Sequence, residues 1–189
     1  MISKIFFKLY QKIGLVRDRM SLLYYKHLWK QQLNYHPGFK LDSTCSIDIM
    51  SGKARVDFAQ GVTFRRYCNI LCSNQGVLTI GRDVFFNNYC SVNCLESITI
   101  GNDTIFGEGV KLYDHNHMFK DKQTLIREQG MKYGPISIGK NCWIGSNTII
   151  LANVTIGDNV VIGANNLIYK SVPAGTVVKA QIQTIQEHY

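Results

Sequence analysis

No long hydrophobic run interrupts this chain. Near the N-terminus lysines break up the apolar positions about every four residues, at Lys4, Lys8 and Lys12. Neither a signal-peptide core nor a membrane-crossing segment is therefore expected there. Acid is scarce in the same region: over residues 1–40 Asp18 stands alone against eight basic side chains, Lys4, Lys8, Lys12, Arg17, Arg19, Lys26, Lys30 and Lys40. The whole chain carries a net charge of +8, so nearly all of it belongs to this segment. No nucleic-acid recognition motif accompanies the charge, which argues against a nucleic-acid partner. Histidine is sparse as well: only His115 and His117 fall within the repeats described below, while His27, His36 and His188 lie outside. That is one short of the three ligands a histidine-based metal centre needs. Six cysteines are present without any sign of secretion, and reduced thiols in a cytoplasm are the expectation.

What the sequence does have is a six-residue period. Ile138, Ile144, Ile150, Ile156, Ile162 and Ile168 return at every sixth position, and Ile138, Ile144, Ile156 and Ile162 are each followed by glycine. Neither a 3.6-residue helix nor simple alternation yields that spacing, which points to a solenoid of hexapeptide repeats with three short strands per coil. A weaker repeat precedes it. The segment from Phe64 to Cys72 reads like that from Phe86 to Cys94, and each copy leads into Thr-Ile-Gly, at Thr79 and Thr99. Cys68, Cys72, Cys90 and Cys94 thus make two C-x3-C pairs. Zinc is one explanation, and stacking of equivalent positions in successive coils is another that needs no metal. Phe64, Phe86, Phe106, Ile144 and Ile162 are expected to mark one corner of the prism read up successive coils.

Residues 1–38 read as a basic helical segment, with apolar spacings of three and four up to Val16, a break at Gly14, a second helical stretch through Leu33, and a stop at Pro37 and Gly38. It serves either as a cap on the solenoid or a neighbouring subunit, or as an interfacial helix on anionic lipid through residues 1–33. The solenoid is expected over residues 39–179, followed by a polar tail, 180–189, that is either a brief helix or a frayed end. The period fails between Tyr113 and Gly134, where Tyr113-Asp114-His115-Asn116-His117-Met118 is followed by a dense run of charge. Long excursions from a rigid scaffold are where binding chemistry tends to sit, so the functional site is expected in this loop.

The run from Gly139 to Ser146, with Val154 to Asn159 and Val160 to Ala164, is similar to the hexapeptide-repeat acyltransferases. The resemblance covers about residues 60–179 and is strongest to the branch of maltose, galactoside and nodulation-factor acetyltransferases and bacterial surface-polysaccharide O-acetyltransferases. It implies an all-β left-handed parallel β-helix, a homotrimer, and acetyl-coenzyme A held in the cleft between subunits. It also implies acetyl transfer to a sugar hydroxyl, on a capsular, O-antigen or exopolysaccharide precursor, at a cytoplasmic site that includes the inner face of the membrane, with no metal.

The family's catalytic histidine, in a Tyr-x-x-x-His segment, falls on His117. A base is needed because a sugar hydroxyl attacks a thioester only as its proton leaves, and imidazole titrates in the useful range. His115, shared with the Asp-His-x-His members, binds substrate, adjusts His117, is itself the base, or is structural. Asn87 matches an asparagine that can donate to the thioester oxygen, although an asparagine ladder at a turn is its alternative. Trp143 matches an aromatic beside the acceptor pocket or packs on the scaffold, and Tyr113 and Asp114 border that pocket. Asp114 either fixes an imidazole tautomer or is an exposed turn residue. The resemblance puts coenzyme A along Gly145, Ser146, Gly163 and Ala164, with Lys170 near its phosphates. Where the family has a Gly-Asn-Pro-Ala-Lys-like turn, this chain reads Val177-Val178-Lys179-Ala180-Gln181, and Lys179 is the substitute.

N-acetylation of a nucleotide-linked amino sugar is the nearest alternative activity. Serine acetylation is disfavoured because the segment before residue 60 is too short for that family's helical domain. Carbonic anhydrase chemistry on the same coils lacks its third histidine, and no cysteine lies in the loop to support a ping-pong thiol mechanism. A non-enzymatic assembly module is the remaining class.

Overall fold

A computed structural model describes residues 2–180, with side chains placed from Lys12 onward. The expected 181–189 tail and the side chains of Ile2, Ile5, Phe6 and Leu9 lie outside the described residues.

Short strands with one buried residue in two, joined by turns at regular intervals, wind into coils. The described strands form three parallel faces. The first holds Leu33–Tyr35, Arg55–Phe58, Val77–Ile80, Ser97–Ile100, Ile136–Ile138 and Val154–Ile156. The second holds Lys40–Leu41, Thr63–Phe64, Phe85–Phe86, Ile105–Phe106, Trp143–Ile144, Val161–Ile162 and Val177–Val178. The third holds Ser46–Ile49, Asn69–Cys72, Ser91–Cys94, Lys111–Tyr113, Ile149–Leu151 and Leu167–Ile168. The chain visits the faces in that order and repeats, giving the coiled solenoid that the hexapeptide period pointed to and the left-handed parallel β-helix that the family resemblance implied. Ile138, Ile144 and Ile150 fall on the first, second and third faces and are all buried; Ile156, Ile162 and Ile168 repeat the cycle one coil on.

The expected column of Phe64, Phe86, Phe106, Ile144 and Ile162 is in direct register along the second face. The rings of Phe64 and Phe86 stack at 4.3 Å, and those of Phe86 and Phe106 at 4.4 Å. Ring stacking along the shaft supplies dispersion contact between coils as well as apolar burial.

The cysteines align as equivalent positions should, with Cys72 in register with Cys94. All six are free and buried. Three of them share a role that explains the residue type. Cys45 Sγ donates to the carbonyl of Arg65, Cys68 Sγ to Asn87, and Cys90 Sγ to Gly107, at 2.7, 3.1 and 3.2 Å. Higher in the same column Thr148 does the same through Oγ1 to Gly163, at 3.1 Å. A small buried side chain suits this position, and where it is cysteine or threonine it also supplies a donor; Val110 fills the same place without one.

The N-terminal helix spans Ile2–Leu28 without interruption. The expected break at Gly14 does not occur: glycine costs a helix about 1 kcal/mol but keeps its N–H donor, and a Cβ at Gly14 would meet nothing within 4 Å. Nor does helix continue to Leu33, which is buried in the first strand opposite Val56. The first coil therefore begins inside the segment expected to be helical. The helix is fastened by Leu22, Tyr25 and Trp29 against the core, with Tyr25 Oη donating to the Cys45 carbonyl and Trp29 Nε1 to that of Ile47.

Candidate active site

Each coil turns from the second to the third face through one corner, and the residue just past the second-face strand donates its N–H to the carbonyl of the next coil's strand. This rule stacks Asp42, Arg65, Asn87, Gly107, Gly145 and Gly163 into one column, with Lys179 directly after the last second-face strand at its top. Ser146 and Ala164 follow their glycines at the same corner. Five of the residues expected around cofactor, Gly145, Ser146, Gly163, Ala164 and Lys179, thus share one edge with Asn87. At Gly145 the column tolerates little bulk. A Cβ built on Gly145 would lie 2.5 Å from the Ala164 nitrogen, so a side chain there forces the coils apart.

Asn87 is held in a definite orientation. Its Oδ1 accepts from the Asn88 N–H at 2.9 Å and from Arg65 Nη1 at 3.3 Å, which leaves the Nδ2 amide as the outward donor. Trp143 lies on the adjoining second face between Ile105 and Val161, 54% exposed. Its ring is available as a flat surface and is not part of the core.

A second group forms at the opposite edge of the third face. Here the strand Lys111–Tyr113 leads into the excursion, a hairpin in which His115–His117 pairs antiparallel with Met131–Tyr133. The Gly134 N–H closes its base on the Asp114 carbonyl at 2.9 Å. The tip is braced by Gln129, whose Nε2 donates to the Asp121 and Thr124 carbonyls.

Asp114 requires a correction. It was expected to border substrate or to be an exposed turn residue, yet its exposure is 0%. Its carboxylate accepts from the backbone amides of Leu95, Glu96 and Ser97 at 2.8–3.0 Å and cannot touch an acceptor. The structure gives it the tautomer-fixing position instead. Oδ1 lies 3.1 Å from His115 Nδ1, and since a carboxylate only accepts, Nδ1 carries the hydrogen, which in the neutral ring makes Nε2 the acceptor. Replacing Asp114 with alanine strands three amides, and we expect a stability loss of about 1–3 kcal/mol, measured by urea unfolding.

His117 is exposed on the same strand as His115, opposite Met131. Extended geometry sends residues two apart to the same side, so both imidazoles flank one surface of the hairpin. Tyr113 stands edge-on to His115, with ring centres 6.3 Å apart. Lys170 also falls at this edge, past the last third-face strand and over the Tyr169 ring at 5.6 Å, and not in the glycine column with Lys179.

The sequence reading missed two features. Tyr67 and Tyr89 sit one residue past Arg66 and Asn88 in left-handed conformation, φ 59° and 61°, at turn positions that Asn147 and Asn165 fill in higher coils. Bulky residues rarely accept this backbone. Their rings nonetheless stack at 5.1 Å, both more than half exposed, beside Asn87. The repeat comparison had aligned these tyrosines, but periodicity carries no record of φ. The second feature is the Asp114 amide cradle, whose donors are backbone groups and leave no residue-type signal.

One chain thus carries Asn87, Trp143 and the glycine column at one edge of the third face and His115, His117 and Tyr113 at the other. A strand of three or four residues separates them, roughly 10–13 Å.

Residues 135–170 match the family model of the bacterial transferase hexapeptide (six repeats). The chain is 41% identical over 102 residues to nodulation protein L of Rhizobium meliloti, covering 53% of this chain and 54% of the relative. It is 31% identical over 129 residues to a protein described as a lipopolysaccharide biosynthesis O-acetyl transferase, WbbJ of Escherichia coli, covering 65% and 64%. The chain therefore spans about half to just under two thirds of the length of these relatives. Among solved structures it resembles AntD, an N-acyltransferase from Bacillus cereus in complex with dTDP and 3-hydroxybutyryl-CoA, with a TM-score of 0.67, 19% identity and coverage of 87% of this chain and 88% of that one. At that identity the likeness is one of fold. With the six-residue period in its sequence and the three-faced coil in its structure, the chain carries the hexapeptide repeat of bacterial transferases over residues 135–170 and is similar to these acetyltransferases over about half to just under two thirds of their length.

Proposed function

We propose that the protein is an acetyl-coenzyme A-dependent O-acetyltransferase acting on a sugar hydroxyl of a surface-polysaccharide precursor. The observation that carries this reading is the pairing of a braced asparagine donor with a small-residue groove on one edge and an imidazole pair on a rigid hairpin at the other. His117 removes the hydroxyl proton as the oxygen attacks the thioester carbon. Asn87 Nδ2 donates to the carbonyl oxygen as charge develops there. The tetrahedral intermediate then collapses, the C–S bond breaks, and coenzyme A leaves as its thiol after protonation. Gly145, Ser146, Gly163 and Ala164 line the pantetheine path, with Lys179 toward the phosphates and Lys170 able to join them only from the hairpin edge of a neighbouring copy. Acetyl-coenzyme A consumption, followed as free thiol across a panel of sugars and polysaccharide repeat units, tests the activity. Absence of transfer to every acceptor, with no saturable coenzyme A binding, would leave the assembly-module reading.

The two edges of one chain lie on opposite sides of the third face, roughly 10–13 Å apart, which supports a trimer whose cleft joins the hairpin of one copy to the column of the next. A complementation experiment examines this. Subunits of His117→Ala and Asn87→Ala are mixed in equal amounts, denatured and refolded together. If the cleft lies between copies, about a quarter of the sites regain both groups in random trimers, and activity returns. A mixture as inactive as its parents places both groups in one chain.

Membrane contact has its own support. Ile13, Val16, Met20, Leu23 and Tyr24 form an outward apolar stripe on the N-terminal helix, opposite its packed face and beside Lys12 and Arg17. Apolar exposure with flanking cations suits an anionic lipid surface. Among the described residues no helix is long and apolar enough to cross a membrane. Replacing Ile13, Val16, Met20 and Leu23 with serine is expected to abolish sedimentation with phosphatidylglycerol vesicles and leave catalysis largely intact. A change in oligomeric mass without a change in vesicle binding would assign the stripe to a second copy.

A further inference from the structure

Below Asn87, between the N-terminal helix and the first two coils, lies a groove of about 530 Å³. Its floor is apolar, made by Leu15, Leu22, Leu41 and Phe64, and its rim carries Arg19, Lys40, Arg65 and Arg66. Two acids, Asp18 and Asp42, also line it, and both are already engaged. Asp18 Oδ1 accepts from the Ser43 N–H at 2.9 Å, and Asp42 Oδ1 from the Thr44 N–H and hydroxyl at 3.0 and 2.6 Å. Among the described residues, Arg66 alone of the four cations comes near a carboxylate, 3.8 Å from Asp42 Oδ2. The groove therefore presents an excess of positive charge, with guanidinium forks suited to phosphate oxygens, over a surface that prefers apolar matter.

Its position relative to the reaction centre matters as much as its charge. Arg65 is one step below Asn87 in the corner column and hydrogen-bonded to it, and Asp42 is one step further. Each step is roughly 4.8 Å, so an anion on Arg65 and Arg66 lies within one sugar ring of the Asn87 amide. The exposed Tyr67–Tyr89 stack follows Arg66 and Asn88 on the same corner. Its strained backbone belongs to the kind of feature that collects at ligand sites.

We propose that this groove binds the diphosphate of the acceptor, so that the sugar is acetylated while still linked through a diphosphate and not as a free sugar. Arg65 and Arg66 take the phosphate oxygens, Lys40 and Arg19 add charge at the rim, and the apolar floor receives whatever the diphosphate is attached to. This inference rests on the acetyltransferase reading for its substrate, but its first test does not. Inorganic pyrophosphate is titrated into the full-length protein by calorimetry. Binding is expected, and Arg66→Met with Lys40→Met should weaken it tenfold or more, whereas Arg82→Met, at a different corner, should not. Equal binding to all three proteins, or none to the wild type, overturns the proposal.

The second test uses transfer itself. Pyrophosphate should inhibit competitively against the acceptor and not against acetyl-coenzyme A, and Arg66→Met should raise the acceptor KM tenfold or more. Binding that depends on Arg66, without transfer to any acceptor, would retain the groove and sink the enzyme reading. Transfer to free sugars with no inhibition by pyrophosphate would do the reverse. The attached group is resolved by comparing a uridine-diphosphate sugar with a polyprenyl-diphosphate sugar in detergent, since both carry the same anion.

Discussion

Alanine at His117 is expected to lower kcat/KM for acetyl transfer by about a hundred- to ten-thousand-fold, the usual contribution of a positioned general base. Its side chain is exposed on the hairpin, so the thermal midpoint should move little and the loss can be assigned to chemistry. The variant is best compared with His115→Ala. The Nδ1 hydrogen of His115 is committed to Asp114, so that in the neutral ring Nε2 is the acceptor, the form a base requires. If His115 only orients the pair, its removal costs less than that of His117 and shifts the pH dependence of the rate. Should His117→Ala retain more than about a tenth of kcat/KM while His115→Ala is nearly inactive, the base is His115 and the residue matched by family pattern is its helper.

The largest effect on stability is expected at Phe86. It is buried between Phe64 and Phe106 with rings nearly parallel to both, at 7° and 1°. Truncation to alanine removes two ring contacts and leaves a cavity that parallel strands on all three faces prevent from collapsing. We expect a loss of about 3–5 kcal/mol, read by urea unfolding at fixed protein concentration so that assembly does not contribute. Coils touch only their neighbours, so the damage should localise to one coil interface. A biphasic transition, with the lower coils and helix unfolding first, would show that localisation. A loss below about 1 kcal/mol would mean that the site repacks, and that the stack adds little beyond area.

Much of this architecture was legible in the sequence because a solenoid writes its period along the chain. Ile138 to Ile168 announced the coil, and Phe64, Phe86 and Phe106 could be put in register by matching segments even though their separations are 22 and 20 residues. The excursion was legible as a failure of that period. Helix limits were not, because Leu33 is equally at home on a helix face and in a strand, and only pairing with Val56 decides. Asp114 was misread for a related reason. A carboxylate beside a histidine looks the same in sequence whether water or three backbone amides surround it, and those amides belong to residues nearly 20 positions earlier. The groove under Asn87 was invisible, since its walls come from the helix and two coils that meet only after folding.

The corner column also fixes a length. From Asn87 through Gly107, Gly145 and Gly163 to Lys179 there are four steps of one coil each, about 19 Å in all at the ordinary strand spacing. Rigid stacking makes this edge a ruler, graduated in coils and read between a carbonyl-directed donor at one end and a cation at the other. Excising Gly145 to Ile162, one full coil of the regular repeat, would shorten it by a single graduation and leave the other pairings in register. On the acetyltransferase reading proposed above, the coils that give the scaffold its strength therefore also set the reach of the donor between Asn87 and Lys179.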